Sequence, residues 1–151
     1  FMLTTAKDTL YDRDLQDWFT DTIAKIKSKE FDRVDWEHVI EEIEGLAGRD
    51  RAEVQSRLRV LLAHLLKRLY VDNAYDYRGW ENTIREQRRQ LETLLEQSPS
   101  LRSFFDSVFL KEWQKALTDV RKEYPKTQFP DRWQFKFDVD ALLSEEFWQE
   151  S

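Results

Sequence analysis

From Val54 onward the chain carries Val54, Leu58, Leu61, Leu65 and Leu69 at steps of three and four residues. An α-helix turns once every 3.6 residues, so such a stripe runs along one face and needs something to pack against. A strand would show strict alternation instead. The same texture of charge and aliphatic residues reaches back through VDWEHVIEEIEGL at 34–46. Only three glycines and three prolines occur in 151 residues, too few turn formers for many short strands. The reading is an all-α fold, a helical bundle of four to five helices with an extended aromatic C-terminal arm. It forms a single domain over 2–151, long enough to bury a core without disulfides or metal. Phe1, ahead of Met2, reads as the remnant of an expression tag.

Leu10, Asp14, Trp18 and Ile23, spaced by helical steps and widened by Leu15, Phe19 and Ile26, predict a first helix over 8–28, capped by Asp8 or Thr9. Ser28–Arg33 breaks the pattern as a linker. A second helix is predicted over 35–46, with Asp35 as its N-cap and Val39, Ile40, Ile43, Leu46 and Ala47 on its apolar side. Gly45 and Gly48 then weaken the helix. Two readings follow: a turn into a separate helix, or one long bent helix continuing to Tyr70. VDNAYDYRG at 71–79 reads as a loop. Further helices are predicted over about 80–97 and over 99–123. Ser98 caps the latter, and Pro99 takes the first helical position, where its missing N–H costs nothing. Pro125 and Pro130 end the regular pattern. WQFKFDV at 133–139 alternates like a strand but has no evident pairing partner, so an extended arm laying aromatics over the bundle is preferred. A short helix over about 140–148, capped by Asp138 or Asp140, closes the chain.

Six Trp and ten Phe supply large packing units and argue against disorder. A net charge of −6 disfavours nonspecific nucleic-acid binding, which needs cations to displace phosphate counterions. The absence of Cys removes thiol catalysis, disulfides and cysteine zinc sites. No apolar run approaches the ~20 residues of a membrane span. FMLTTAKDTL lacks the basic segment and apolar stretch of a signal peptide. A cytoplasmic location is expected.

Three polar groupings stand out. Glu37, Glu41 and Glu44 line one side of the second helix at steps of four and three. Such carboxylates are solvated, or pair with the chain's own Arg residues, or hold a divalent cation through oxygen ligands. Arg57, His64 and Lys67 form a cationic line on the following stretch, and Arg85, Arg88 and Arg89 a further cluster. Guanidinium and ammonium groups supply several donors, so Arg57, His64, Lys67, Arg85 and Arg88 make a candidate anion site. A sharp turn at Gly45–Gly48 would instead bring Glu37 toward Arg57 and make the two lines neutralise each other. A mixed metal site of Glu41, Glu44 and His64 is a weaker candidate. Neither the His–Glu–x–x–His zinc pattern nor paired Glu-x-x-His motifs occur, and no Ser has a persuasive His partner. No cofactor is expected, and there is no catalytic signature.

EEIEGL at 41–46, SRLRVLLAHLLK at 56–67, W-x-x-T-I-x-x-Q-R-R at 80–89, LLEQSPSL at 94–101 and the FP at 129–130 occur in that order. In this the chain resembles the bacterial domain-of-unknown-function family twenty-nine, common in cyanobacteria, over about residues 11–143. The resemblance implies a small cytoplasmic helical bundle and no established activity. Glu41, Glu42, Glu44, Arg57, His64, Lys67, Trp80, Thr83, Arg88 and Pro99 match its motifs. RWQFKFDVD departs from the compact Pro-containing turn found there. The leading functional reading is a protein-interaction module, binding another protein or itself as a homodimer. The alternative is a nucleotide- or phosphate-binding protein using the Arg/His/Lys cluster.

Overall fold

The structure is a computed structural model and describes residues 9–148. Phe1 and Asp8 lie outside the described residues. Among the described residues six α-helices follow one another: α1 (Leu10–Arg13), α2 (Leu15–Lys27), α3 (Trp36–Tyr70), α4 (Ala74–Gln97), α5 (Leu101–Glu123) and α6 (Val139–Ser144). A 3₁₀ turn at Phe31–Arg33 separates α2 from α3. No strand occurs among the described residues, so the all-α reading holds. None of their helices is long and apolar enough to cross a membrane. The chain divides into two compact units, Phe1–Ala47 and Gly48–Ser151, and the division falls inside α3.

In the first unit, the single helix expected over 8–28 is broken at Asp14. Asp14 is extended (φ −154°), and its side chain accepts from the Asp17 N–H at 3.0 Å. An Asp side chain that can satisfy an orphan N–H favours starting a helix over lying inside one. Thr9 caps α1 in the same way, accepting from the Asp12 N–H at 3.2 Å. Lys29 ends α2 with φ 61°. The Glu30 N–H reaches Lys25 O and the Lys29 N–H reaches Ile26 O, the paired closure that satisfies the last carbonyls of a helix. Asp35 accepts from the His38 N–H at 3.3 Å at the start of α3, as its N-cap role predicts. From there α3 runs through Gly45 and Gly48 without a break, and neither glycine has positive φ. The long-helix reading is the correct one, and the hairpin that would have paired Glu37 with Arg57 does not form.

In the second unit the leucine stripe does what its spacing demands. Val54, Leu58, Leu61 and Leu65 are all buried, joined by Leu62 and Leu66. They share one core with Ile84 and Leu91 of α4, Phe105 and Trp113 of α5, and Leu142 of α6. Each such side chain contributes roughly 1.5–3 kcal/mol by leaving water. The loop expected at 71–79 shrinks, because α4 already begins at Ala74. Its polar and aromatic residues fasten that first turn. Asn73 Nδ2 donates to Asp76 at 2.6 Å, the Tyr77 hydroxyl donates to Val71 O at 3.2 Å, and the Arg68 guanidinium lies 4.0 Å over the Tyr77 ring.

Beyond α5 the chain is an extended arm. Trp133, Phe135 and Phe137 are half-buried, alternating with exposed Gln134 and Lys136. Phe137 stacks on Phe109 at 4.0 Å, and Trp133 meets Trp113 edge-on at 5.8 Å. Trp113 Nε1 donates to Asp131 O at 3.1 Å, and Arg121 pairs with the Asp131 carboxylate at 2.7 Å, anchoring the arm's root. Strand-like alternation here packs one row of aromatics onto a helix surface. Asp138 then caps α6, accepting from the Asp140 N–H at 2.9 Å.

Candidate functional site

The five cationic residues of the predicted anion site fall into separate places. Arg57 pairs with Glu53 at 3.3 Å and donates to Gln87 Oε1 at 3.2 Å. Lys67 Nζ lies 2.7 Å from Glu123. His64 Nδ1 lies 2.8 Å from Val60 O, so this nitrogen carries the proton and donates. Burial holds the imidazole below its ordinary pKa, favouring its neutral form. Arg88 donates from Nε to Leu142 O at 2.9 Å and from Nη2 to Glu145 O at 2.6 Å. These are carbonyls at the negative end of α6, so the guanidinium closes that helix. Arg85 bonds the neutral amide of Asn82 at 2.9 Å.

The structure thus brings Arg85 together with Arg88, and His64 together with Lys67. Arg85 and Arg88 line a cleft of about 510 Å³ shared with Glu81, Glu92 and Glu146. His64 and Lys67 line another of about 310 Å³ with Arg59, Asp119 and Glu123. Both clefts mix the two signs of charge, and most of the cations already have acceptors. Glu41 and Glu44 are exposed in the first unit, while His64 stands twenty residues beyond Glu44 on unbroken helix. No three His, Asp or Glu side chains are grouped to hold an ion among the described residues.

Two polar features escaped the sequence pattern. Glu112 of α5 is buried at 1% exposure. Gln55 Nε2 donates to it at 3.2 Å, Arg59 and Lys115 lie at 3.7 and 3.8 Å, and its Oε1 accepts no hydrogen bond. Nothing in its spacing sets it apart from the solvated glutamates. In the first unit, the Tyr11 ring stacks on His38 at 3.8 Å and Trp18 meets Tyr11 edge-on at 5.0 Å. The Tyr11 hydroxyl donates to Glu42 at 2.6 Å, and His38 Nδ1 bonds Asp35. The bond to Glu42, with burial and Glu41 adding to it, pushes the Tyr11 phenol up to about 12. The Asp35 carboxylate raises His38, and His38 in turn lowers Asp35. Residues 27 positions apart in the chain make this stack, so only the folded unit reveals it.

His38, Val39 and Glu42 turn the partly covered side of α3 inward within the first unit. The apolar side expected to be buried faces solvent instead. Ile40 is 54% exposed, Ile43 60% and Leu46 55%. Trp36, Ile40, Ile43 and Ala47 recur at steps of four, three and four, the spacing of the apolar seam of a coiled coil. Glu37, Glu41 and Glu44 run beside that seam and make no ion pair among the described residues. On α2, Leu15, Ile23 and Ile26 are also exposed. Eight of the ten exposed large hydrophobics of the described residues lie in this unit, so their exposure is local rather than general. Charge is equally local. Residues 1–47 hold twelve acidic and six basic side chains, whereas 48–151 hold eighteen of each, so the first unit accounts for the whole net charge of −6.

An all-helical protein whose first unit bears an acidic, apolar and uncovered helix face is the class these features define. The chain belongs to the family described as Domain of unknown function DUF29, whose model matches residues 10–148. No curated protein and no solved structure matches it.

Proposed function

We propose that the protein is a protein-interaction module and that the apolar seam of α3 in its first unit is the docking surface. The exposure of Ile40 and Ile43, at 54% and 60%, carries this reading. Their spacing is as regular as that of the buried stripe farther along the same helix. Regular apolar spacing on a helix is the signature of a face that packs, and contiguous exposed apolar patches mark interaction sites. The flanking carboxylates keep such a face soluble until it is covered.

The test is the double variant Ile40→Ser, Ile43→Ser in the full chain, chosen because Ile and Ser have similar helix propensity. Its unfolding free energy should stay within about 0.5 kcal/mol of the parent, as for surface positions. Fluorescence of a bound hydrophobic dye should fall at the same time. A loss of about 2 kcal/mol or more would show these side chains buried in the protein's own fold and end the proposal.

A further inference from the structure

Resting on that reading, we infer that the occupant of the α3 seam is a basic amphipathic helix of another protein. The exposed seam from Trp36 to Ala47 is eleven helical steps, or ~17 Å, which fits a partner helix of three to four turns. With Ile40 and Ala47 at the first apolar position of a heptad and Trp36 and Ile43 at the second, Glu37 and Glu44 occupy one flank. Those flanking positions choose partners in paired helices. The opposite flank holds Val39 and Leu46, so the complementary charge must come from the incoming helix.

Charge also selects against a second copy of this chain. Antiparallel self-pairing sets equivalent flanks together, so Glu37 of one copy meets Glu44 of the other. Parallel self-pairing sets both glutamates against Val39 and Leu46. Neither arrangement compensates the carboxylates, and each brings together two units that each carry six more acidic than basic side chains. Like charges face to face are the ordinary means by which an interface rejects a wrong partner. Lys or Arg at the flank of an incoming helix removes the repulsion and leaves the apolar seam to be covered.

The experiment uses the full chain and a fluorescein-labelled helical peptide of two heptads, with Leu at the apolar positions and Lys at both flanks. A twin peptide with Glu in place of Lys is the control. Anisotropy at about 150 mM salt should show binding of the Lys peptide and none of the Glu peptide. Ile40→Ser with Ile43→Ser should weaken that binding at least about tenfold, and so should Glu37→Lys with Glu44→Lys. The charge-reversed variant should gain affinity for the Glu peptide. Glu96→Lys, in the second unit, should change neither. Equal binding of the two peptides, or binding that survives the serine pair, overturns the inference. So does a dimer by light scattering that the serine pair dissolves and the lysine pair leaves intact, since a second copy would then be the occupant. Failure here with an undiminished stability of the serine variant rejects the partner's chemistry alone. Destabilisation of that variant rejects the docking surface itself.

Discussion

Replacing Gly45 and Gly48 with alanine separates a continuous α3 from a hairpin. Both glycines lie inside the helix, neither has positive φ, and a Cβ built at either meets no atom within 4 Å. Glycine inside a helix costs about 0.8–1 kcal/mol relative to alanine, mainly because the unfolded chain gives up more freedom. With no steric opposition, each substitution should stabilise by that amount. Two added methyls that touch nothing act independently, so the pair should approach about 2 kcal/mol. Urea denaturation followed by helical circular dichroism gives the global value. Amide exchange over residues 44–52 gives the local one, with protection rising about tenfold for every 1.4 kcal/mol. The local measurement is the more direct, because an exposed helical stretch opens without the whole chain unfolding. A loss of stability would refute the reasoning, since alanine destabilises only where glycine holds a left-handed or crowded backbone.

Two further outcomes follow from buried and paired charge. The lowered Asp35 pKa gives stability that is present above 3.8 and disappears as pH falls through the folded-state value. The raised His38 pKa gives stability that is complete below 6.5 and disappears as pH rises through its folded-state value. The start of α3 should therefore be firmest between 3.8 and 6.5, and a proton NMR titration that placed His38 below 6.5 would contradict the contact with Asp35. Glu112→Met should leave stability unchanged or raise it by roughly 1–4 kcal/mol, because a buried carboxylate exchanged for an apolar side chain of similar size loses little. The cations it leaves behind, Arg59 and Lys115, are solvent-accessible at 38% and 45%. A urea-measured loss above about 2 kcal/mol would instead assign Glu112 a specific structural bond.

Helical periodicity was enough to read the core stripe of α3 and the course of α5, because a stripe such as Val54–Leu65 can be satisfied in only one way, but it left the continuity of α3 open and began α4 several residues late. Periodicity does not say which stripe is covered. Trp36–Ala47 and Val54–Leu65 obey the same rule on the same helix, yet one faces water and the other is the core. That difference depends on how much apolar surface other elements offer, which no local window contains. The break at Asp14 was hidden for a related reason: the same residue type serves an exposed helix position and a cap. The candidate anion residues shared spacing, but several of them are drawn apart by partners distant in sequence. Arg88 spends its guanidinium on carbonyls 54 and 57 residues away, and Lys67 meets Glu123. The ordered motifs reached the family correctly because a sequence of several matches needs no knowledge of contacts.

The carboxylates beside Ile40 and Ile43 also decide how concentrated this protein can become. An uncovered aliphatic seam invites copies to coalesce, and acidic neighbours act as gatekeepers against it. The sequence isoelectric point is about 5.1, so mild acidification removes the repulsion between molecules while helices and core persist. Toward that pH the protein should first come out of solution, folded, through its exposed apolar seam.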